Sequence, residues 1–104
     1  MTYSVIIQSS AEEDIRRLVF YIAYKLENPY AALKISFKIK KRIQELSYMP
    51  ERFPFFNDSK YRKTHIGKYV IFYRVDKTKN EVRVFRVLYS RRNLAKYIKW
   101  QTKI

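Results

Sequence analysis

The chain has 104 residues, of which 47% are hydrophobic, enough for one compact two-layer domain and too apolar for a disordered chain. Its 23 Lys and Arg residues against 9 Asp and Glu give a net charge of +14, so the expected partner is negative: nucleic acid, the ribosome or an acidic protein. An anionic membrane is a weaker candidate, because the basic residues are spread through the whole chain. The lack of cysteine excludes disulfides, a thiolate nucleophile and zinc–thiolate sites.

The first predicted elements are a strand and a helix. Apolar and polar residues alternate over residues 2–8, which is the period of a strand. Ser9 and Ser10 are each followed three residues later by a glutamate, so either could form a capping box that starts a helix over residues 10–27. Because no signal-peptide pattern and no membrane-spanning apolar stretch is present, we expect a cytoplasmic protein.

A second helix is predicted over residues 29–48. Asn28 is a favourable N-cap, and Pro29 suits the first helical position because its missing N–H needs no partner there. The short connection predicts an antiparallel helical hairpin. The predicted exposed side of this helix carries a run of basic residues, Lys34, Lys38, Lys40, Lys41 and Arg42. Such a run is usually a solvated face, and the alternative is a face that contacts an anion or an acidic partner.

The sequence after the second helix predicts a loop followed by three strands. Residues 49–59 hold two of the three prolines and predict a loop, whose aromatic residues we interpret as core anchors rather than platforms for stacked bases. A strand over residues 61–66 then turns at Gly67, the only glycine. Residues 69–75 and 82–89 are rich in β-branched and aromatic residues and form the last two strands of an antiparallel meander.

The predicted fold class is therefore α+β, with an N-terminal strand and a helical hairpin, followed by the three-stranded meander that completes a four-stranded sheet. The aromatic residues of the predicted loop over residues 49–59, which we interpret as core anchors, are Phe53, Phe55 and Phe56. Ser90 can cap a short C-terminal helix that reaches about Ile98, and residues 99–104 are expected to form a loose tail of the single domain.

The chain lacks the sequence motifs of most catalytic chemistries. The chain has no nucleotide-binding glycine loop, metal-binding histidine motif or serine-hydrolase elbow, so neither a metal nor a cofactor is expected. A nuclease would have to position the RNA 2′-hydroxyl for attack on its own phosphate, with cations stabilising charge and a Tyr, Lys or His moving protons. His65 is a candidate base, although a lone histidine among basic residues is more often a surface donor. Residues that could supply that set are Arg62, Lys63, His65, Arg74, Arg86, Tyr89, Arg91, Arg92 and Tyr97.

The arginines are not equally good candidates for a functional role. Arg83 and Arg86 should lie on opposite faces of their strand, so at most one shares a given concave surface. Arg91 and Arg92 follow the last strand and are the better functional candidates, against the alternative of ordinary solvated charge.

Two segments carry a family resemblance. Residues 66–75 and 84–93 resemble the C-terminal strands of the RelE/ParE superfamily of type II toxin–antitoxin toxins, with closer similarity to the ParE branch. The resemblance implies two helices packed on one face of a mostly antiparallel sheet. It also implies a hetero-oligomer with a cognate acidic antitoxin, part of which folds on binding.

The superfamily has two activities. RelE-like members cut mRNA on the ribosome, whereas ParE-like members poison DNA gyrase. In the RelE pattern an arginine follows the tyrosine that opens the central strand, and here Val70 stands in that position, while Arg91 and Tyr97 match the other two functional positions. In the ParE pattern a histidine is common at Tyr89, and an acidic residue at Asn93.

The resemblance thus predicts a toxin that interferes with gyrase; the alternatives are a ribosome-dependent mRNA endonuclease and a non-toxic RNA- or ribosome-binding module. For a nuclease, the catalytic candidates are Arg91, Tyr89 and Tyr97. The candidates for binding a target or phosphate are Arg62, Lys63, His65, Arg74, Arg86, Arg91 and Arg92.

Overall fold

The computed structural model describes residues 2–91. Within them, strands and helices follow the predicted order, and the sequence-based boundaries are one to a few residues too long at several ends. The elements are β1 (Ser4–Ile7), α1 (Ser9–Phe20) with a π-helical continuation (Tyr21–Lys25), α2 (Pro29–Glu45), a 3₁₀ turn (Pro50–Arg52), β2 (Arg62–Ile66), β3 (Tyr69–Asp76) and β4 (Glu81–Tyr89).

The four strands form one sheet in the order β1-β4-β3-β2. Strands β2, β3 and β4 are antiparallel neighbours, as the meander predicts, and β1 lies parallel to β4. The predicted α+β fold with a four-stranded sheet is confirmed. Since β1 pairs only with residues 81–84, the second half of β4 extends beyond its edge partner.

The two helix starts differ from each other. Asn28 caps α2 as predicted, its Oδ1 accepting a hydrogen bond of 3.1 Å from the backbone N–H of Ala31. The predicted serine cap of α1 is wrong, because the N-cap residue is Gln8 and no side chain caps that end. Ser10 instead donates its hydroxyl to the carbonyl of Phe85 at 2.7 Å, a bond that ties α1 to the extended half of β4.

Gly67 lies in the β2–β3 turn with φ of +56°, the left-handed conformation expected for the sole glycine. At the same end of the sheet, Ser90 and Arg91 form a turn after β4, and the backbone N–H of Ser90 donates to the carbonyl of Lys68 at 2.8 Å. The rest of the predicted helix over residues 90–98, and the tail after it, lie outside the described residues.

The sheet has two faces of different character. The helix-covered face packs aliphatic side chains of β3 and β4 and the ring of Tyr73 against apolar residues of both helices, including Ile15 and Ile39. On the opposite face, which we call the open face, the apolar centre is formed by Val70, Phe72, Phe85 and Leu88.

Part of the loop before β2 covers the open face. Phe56 is buried and meets Phe72 edge to face with ring centroids 5.1 Å apart, and Tyr61 stacks on Phe85 at 4.7 Å. Phe56 is therefore a core anchor, as predicted, and Phe53 is partly buried against the helix-covered core. Phe55 departs from the prediction, because 51% of its surface remains exposed.

Candidate functional site

Three predicted target-binding residues share the open face. Lys63 and His65 project there from β2, directly across from Phe72 and Val70, and Arg74 projects from β3. The ammonium of Lys63 lies 5.6 Å from the centroid of the Phe56 ring, and His65 is exposed. The open face is thus an apolar and aromatic centre with a cationic rim.

Arg74 faces another arginine at the rim. It lies directly across from Arg83 of β4, whose Nη2 is 3.3 Å from the Glu81 carboxylate. Like charges directly opposite each other repel. Within the described part of the chain Arg74 has no hydrogen bond or ion pair, so its guanidinium is available to an anion, and its charge opposes the rise that burial causes in the pKa of Tyr61.

Arg62 holds the loop before β2 in place. Its Nη1 donates to the carbonyls of Phe53 at 2.7 Å and Glu51 at 3.1 Å, and its Cζ lies 4.0 Å from the centroid of the Phe55 ring. Only 14% of its side chain is exposed. These contacts give Arg62 a structural task that its sequence context did not reveal.

Arg86 is bound to helix α1. Its Nε and Nη2 donate to the two carboxylate oxygens of Asp14 at 2.7 and 2.9 Å, and the backbone N–H of Val87 donates to Asp14 Oδ2 at 2.9 Å. A register shift opposite Phe72 and Tyr73 accompanies this arrangement. Because of that shift, Arg86 lies directly across from Phe72 and Arg83 across from Arg74, so the prediction that these two arginines lie on opposite faces is wrong. Asp14 of helix α1 binds the Arg86 side chain at the edge of β4 beyond β1, and we therefore assign Arg86 to the fold rather than to target binding.

The tyrosine at the end of β4 lies on the other side of the sheet. Tyr89 meets Tyr69 with ring centroids 5.8 Å apart, next to the helix-covered core. Burial raises the pKa of Tyr69, and the neighbouring phenols of Tyr89 and Tyr21 raise it further. Tyr89 is thus separated by the sheet from Lys63 and His65.

The last candidates follow β4. Arg91 is exposed in the turn after the strand, whereas Arg92 and Tyr97 lie outside the described residues. Within residues 2–91, no three acidic, histidine or cysteine side chains come close enough to hold a metal ion. The same part of the chain contains no helix with the length and hydropathy needed to cross a membrane.

Sequence reasoning missed an exposed apolar surface on the helical hairpin. Tyr30, Leu33 and Phe37 are 77%, 72% and 69% exposed, and we call these three residues the α2 stripe. Their spacing places them on one face of α2, opposite the buried face. The recurrence of large apolar residues at i, i+3 and i+7 was the available signal, although the buried stripe of the same helix obscured it.

A groove of about 580 Å³ runs between the two helices beside the α2 stripe. Leu33 borders it on α2, and Phe20 and Tyr24, whose ring centroids are 4.6 Å apart, border it on the first helix and its π-helical continuation. The exposed lysines Lys34, Lys38 and Lys41 lie on α2 along the other side of the stripe. The hairpin thus presents an apolar surface with basic margins.

Known structures share this fold. The chain is similar to the chromosomal ParDE toxin–antitoxin system of P. aeruginosa, with a TM-score of 0.73 at 16% identity over 85% of this chain and 96% of that one. It is also similar to a mutant of the E. coli toxin RelE in the free state, with a TM-score of 0.70 at 17% identity over the full length of both chains. The intact E. coli RelBE toxin–antitoxin complex matches with a TM-score of 0.60 at 19% identity, over 86% of this chain and 99% of that one.

These identities are low enough that the structural matches speak for the fold alone, and no curated protein is significantly similar in sequence. A family model is more specific. The model described as the ParE toxin of the type II toxin–antitoxin system parDE matches residues 5–94, most of the chain. The chain therefore belongs to the ParE toxin family of the RelE/ParE superfamily.

Proposed function

We propose that this chain is a toxin that arrests growth by interfering with DNA gyrase and is neutralised by an acidic cognate antitoxin. The observation that carries the proposal is the apolar centre of the open face. Val70, fully buried there between the neighbouring side chains of β2 and β4, stands where the RNA-cleaving branch has an arginine. The match to a ParE family model supports the same branch.

The chemistry of RNA cleavage supports this choice. Without a metal, a nuclease needs a cation near the scissile phosphate and a proton-transfer group within hydrogen-bond reach of the reacting oxygens. Val70 supplies no cation at the centre of the face, and Tyr89 lies across the sheet from the rim cations. A surface that binds a protein target needs no such constellation, and the side chains of Lys63, His65 and Arg74 remain accessible to such a target around the buried apolar centre.

The hairpin surface supports the antitoxin half of the proposal. The α2 stripe and the adjacent groove would take the apolar face of an amphipathic segment, and the flanking lysines favour acidic residues at its margins. A net charge of +14 accelerates association with such a segment and makes association salt-dependent. The structurally similar ParDE system and RelBE complex are toxin–antitoxin assemblies, which agrees with a cognate antitoxin for this chain.

The test of the target uses purified gyrase and relaxed plasmid. The protein should inhibit supercoiling and trap cleaved plasmid, and the double substitution Lys63→Ala/His65→Ala should raise the half-inhibitory concentration at least about tenfold, since one or two contacts at about 1.4 kcal/mol each are lost. Lys79→Ala, an exposed lysine in the β3–β4 turn, is the matched control. Unchanged gyrase activity at concentrations that arrest growth would overturn the proposal.

Ribosome-dependent mRNA cleavage is the second candidate, favoured by Lys63 and His65 at the rim and by the exposed Arg91 after β4. Its test is 5′-end mapping of an mRNA translated on purified ribosomes. Cuts phased with codons that disappear with Arg91→Ala would establish this activity in place of gyrase inhibition. If expression does not arrest growth at all, a non-toxic RNA- or ribosome-binding module becomes the better interpretation of this protein's function.

The antitoxin surface has its own test. Leu33→Glu/Phe37→Glu places two like charges against an acidic segment and removes apolar contact area, so we expect at least a 100-fold loss of affinity for the antitoxin by isothermal titration. Tyr48→Glu, at an exposed position beyond α2, is the control and should change affinity less than threefold. Equal effects of the two variants would place the antitoxin elsewhere.

A further inference from the structure

A second groove lies at the end of the sheet farthest from Gly67, where β2 begins and β3 runs into the turn before β4. We call it the strand-end groove; its volume is about 540 Å³. Four basic side chains line it, together with Val75, Thr78 and the half-exposed ring of Phe55. The basic residues are Lys60, Arg62, Arg74 and Lys77.

The charges in the groove do not cancel. Two carboxylates, Glu51 and Asp76, also line it. Glu51 is shared by Lys77 at 3.0 Å and Arg62 at 3.8 Å. Asp76 accepts a hydrogen bond from the backbone N–H of Lys79, which holds its pKa below the usual range and fixes its carboxylate within the turn.

Lys60 and Arg74 remain as the uncommitted cations. Neither side chain makes a hydrogen bond or ion pair within residues 2–91, and Arg74 also experiences repulsion from Arg83 directly across the strand pair. A bound anion would relieve that repulsion and satisfy both donors. Phosphate is the matching group, because a guanidinium and an ammonium supply several donors to its oxygens.

Phe55 adds a second kind of contact. Its ring rests on the guanidinium of Arg62, which is itself held by two backbone carbonyls, so the ring has a fixed support. Half of the Phe55 surface is nevertheless exposed, although the neighbouring Phe56 is buried. An exposed aromatic ring beside cations is the combination that binds nucleotides, with a base stacked on the ring and a phosphate held by the cations.

From this arrangement we propose that the strand-end groove binds a nucleotide unit, with its base stacked on Phe55 and its phosphate held by Lys60 and Arg74. The unit can belong to a free mononucleotide or to a single-stranded nucleic acid. The site shares Arg74 with the rim of the open face, but its stacking ring and Lys60 do not belong to that face, so the Phe55 and Lys60 variants test it separately from the gyrase proposal.

The experiment measures binding by the full-length protein of fluorescently labelled eight-nucleotide oligo-U and oligo-dT, by anisotropy at about 0.15 M salt, with UMP and inorganic phosphate as competitors. Phe55→Leu keeps apolar volume on Arg62 and removes the π face. Because one stacked base accounts for about 5- to 100-fold in affinity, we expect a loss in that range. Phe55→Trp should bind at least as tightly as the unaltered protein.

The controls separate this site from general attraction to a basic protein. Tyr48→Leu removes an aromatic ring of similar exposure away from the groove, and Lys68→Ala removes a lysine at the other end of the sheet. Lys60→Ala and Arg74→Ala should each reduce the slope of log affinity against log salt by about 0.7, the effect of one lost phosphate contact on a single strand. Lys68→Ala should do so less.

The outcomes distinguish the possible ligands and test the proposal itself. Displacement of the oligonucleotide by millimolar UMP would indicate a mononucleotide site, whereas binding that requires the oligonucleotide would indicate a single-stranded nucleic acid. If inorganic phosphate competes as well as UMP, the base makes no contribution to binding, and the proposed stacking on Phe55 is wrong. If Phe55→Leu and Tyr48→Leu weaken binding equally, the proposal is overturned.

Discussion

The two faces of the sheet come from the same strands and yet have different tasks. Alternate residues of β3 place Ile71 and Tyr73 under the helices and Val70 and Phe72 on the open face, and all four are fully buried. The helix-covered face is closed by two helices, whereas the open face is closed in part by one short loop. The comparison shows that burial alone does not separate a structural face from a face that can serve a target.

The pairing of charges separates structural from available arginines better than burial does. The side chain of Arg86 is bound by a buried carboxylate of helix α1, whereas the side chain of Arg74, at the rim of the open face, has no hydrogen-bond or ion-pair partner among residues 2–91. Both arginines come from apolar strands and look equivalent in the sequence. A paired arginine contributes to folding and specificity, and an unpaired one at a rim is free to bind.

The largest expected effect concerns the paired arginine. Asp14→Ala removes the acceptor of two hydrogen bonds from the guanidinium of Arg86 and of one from the N–H of Val87 in a partly buried site, so we expect the free energy of unfolding to fall by about 3–5 kcal/mol in urea titrations. Glu13→Ala, which removes only exposed ion pairs on the same helix, should cost less than about 1 kcal/mol. A loss below 1 kcal/mol for Asp14→Ala would show that the ion pair is not a structural contact.

The second prediction uses pH to probe the helix-covered face. Burial raises the pKa of Tyr73 to about 12, with smaller opposing effects from Arg62 and Arg52, and its hydroxyl donates to the carbonyl of Pro50. Because the folded pKa exceeds the unfolded value of about 10, this group stabilises the fold below pH 10. That contribution, about 2–3 kcal/mol, should be lost between pH 10 and 12.

Tyr73→Phe tests this by removing the ionisable group. Its free energy of unfolding should be lower at neutral pH, because the hydrogen bond to Pro50 is lost, and should decline less than that of the unaltered protein between pH 10 and 12. Tyr30→Phe, at an exposed position on α2, is the control and should leave the pH profile unchanged. Parallel profiles for Tyr73→Phe and the unaltered protein would contradict the prediction.

The third prediction concerns the helix layer itself. Asn28→Ala removes the side-chain cap of α2 and should lower the free energy of unfolding by about 1 kcal/mol. Ser9→Ala should change it by less than about 0.5 kcal/mol, because no side chain caps α1. Chemical denaturation of the two variants measures both values, and a larger effect for Ser9 would reinstate the serine cap.

The smallest stability effect should come from the open face. Lys63→Ala/His65→Ala removes two rim side chains that make no ion pair within residues 2–91, so the free energy of unfolding should change by less than about 0.5 kcal/mol. Growth arrest on expression should nevertheless weaken. A large loss of stability would mean that the rim cations serve the fold, and full toxicity in a stable variant would remove them from the target surface.

The open face and the helical hairpin illustrate how far sequence patterns reached. The strand periods placed Lys63, His65 and Arg74 in strands whose order the structure confirms, and Asn28-Pro29 located the start of α2 to the residue. These features depend on neighbours in the chain, so local patterns suffice to predict them. The α2 stripe was missed because a helix with large apolar residues on two faces does not reveal which face the core will cover.

The sequence by itself determined the excess of positive charge, and it determined the fold class and the order of the elements because periodicity and turn residues act over a few positions. The family followed separately, from the resemblance of residues 66–75 and 84–93 to known toxins. Only the tertiary structure decided which cations are free. Asp14 and Arg86 are 72 residues apart, and the contact between them depends on α1 crossing the uncovered edge of β4. Likewise, the exposure of Phe55 beside buried Phe56 follows from how the loop meets Arg62, a long-range packing choice that no local pattern records.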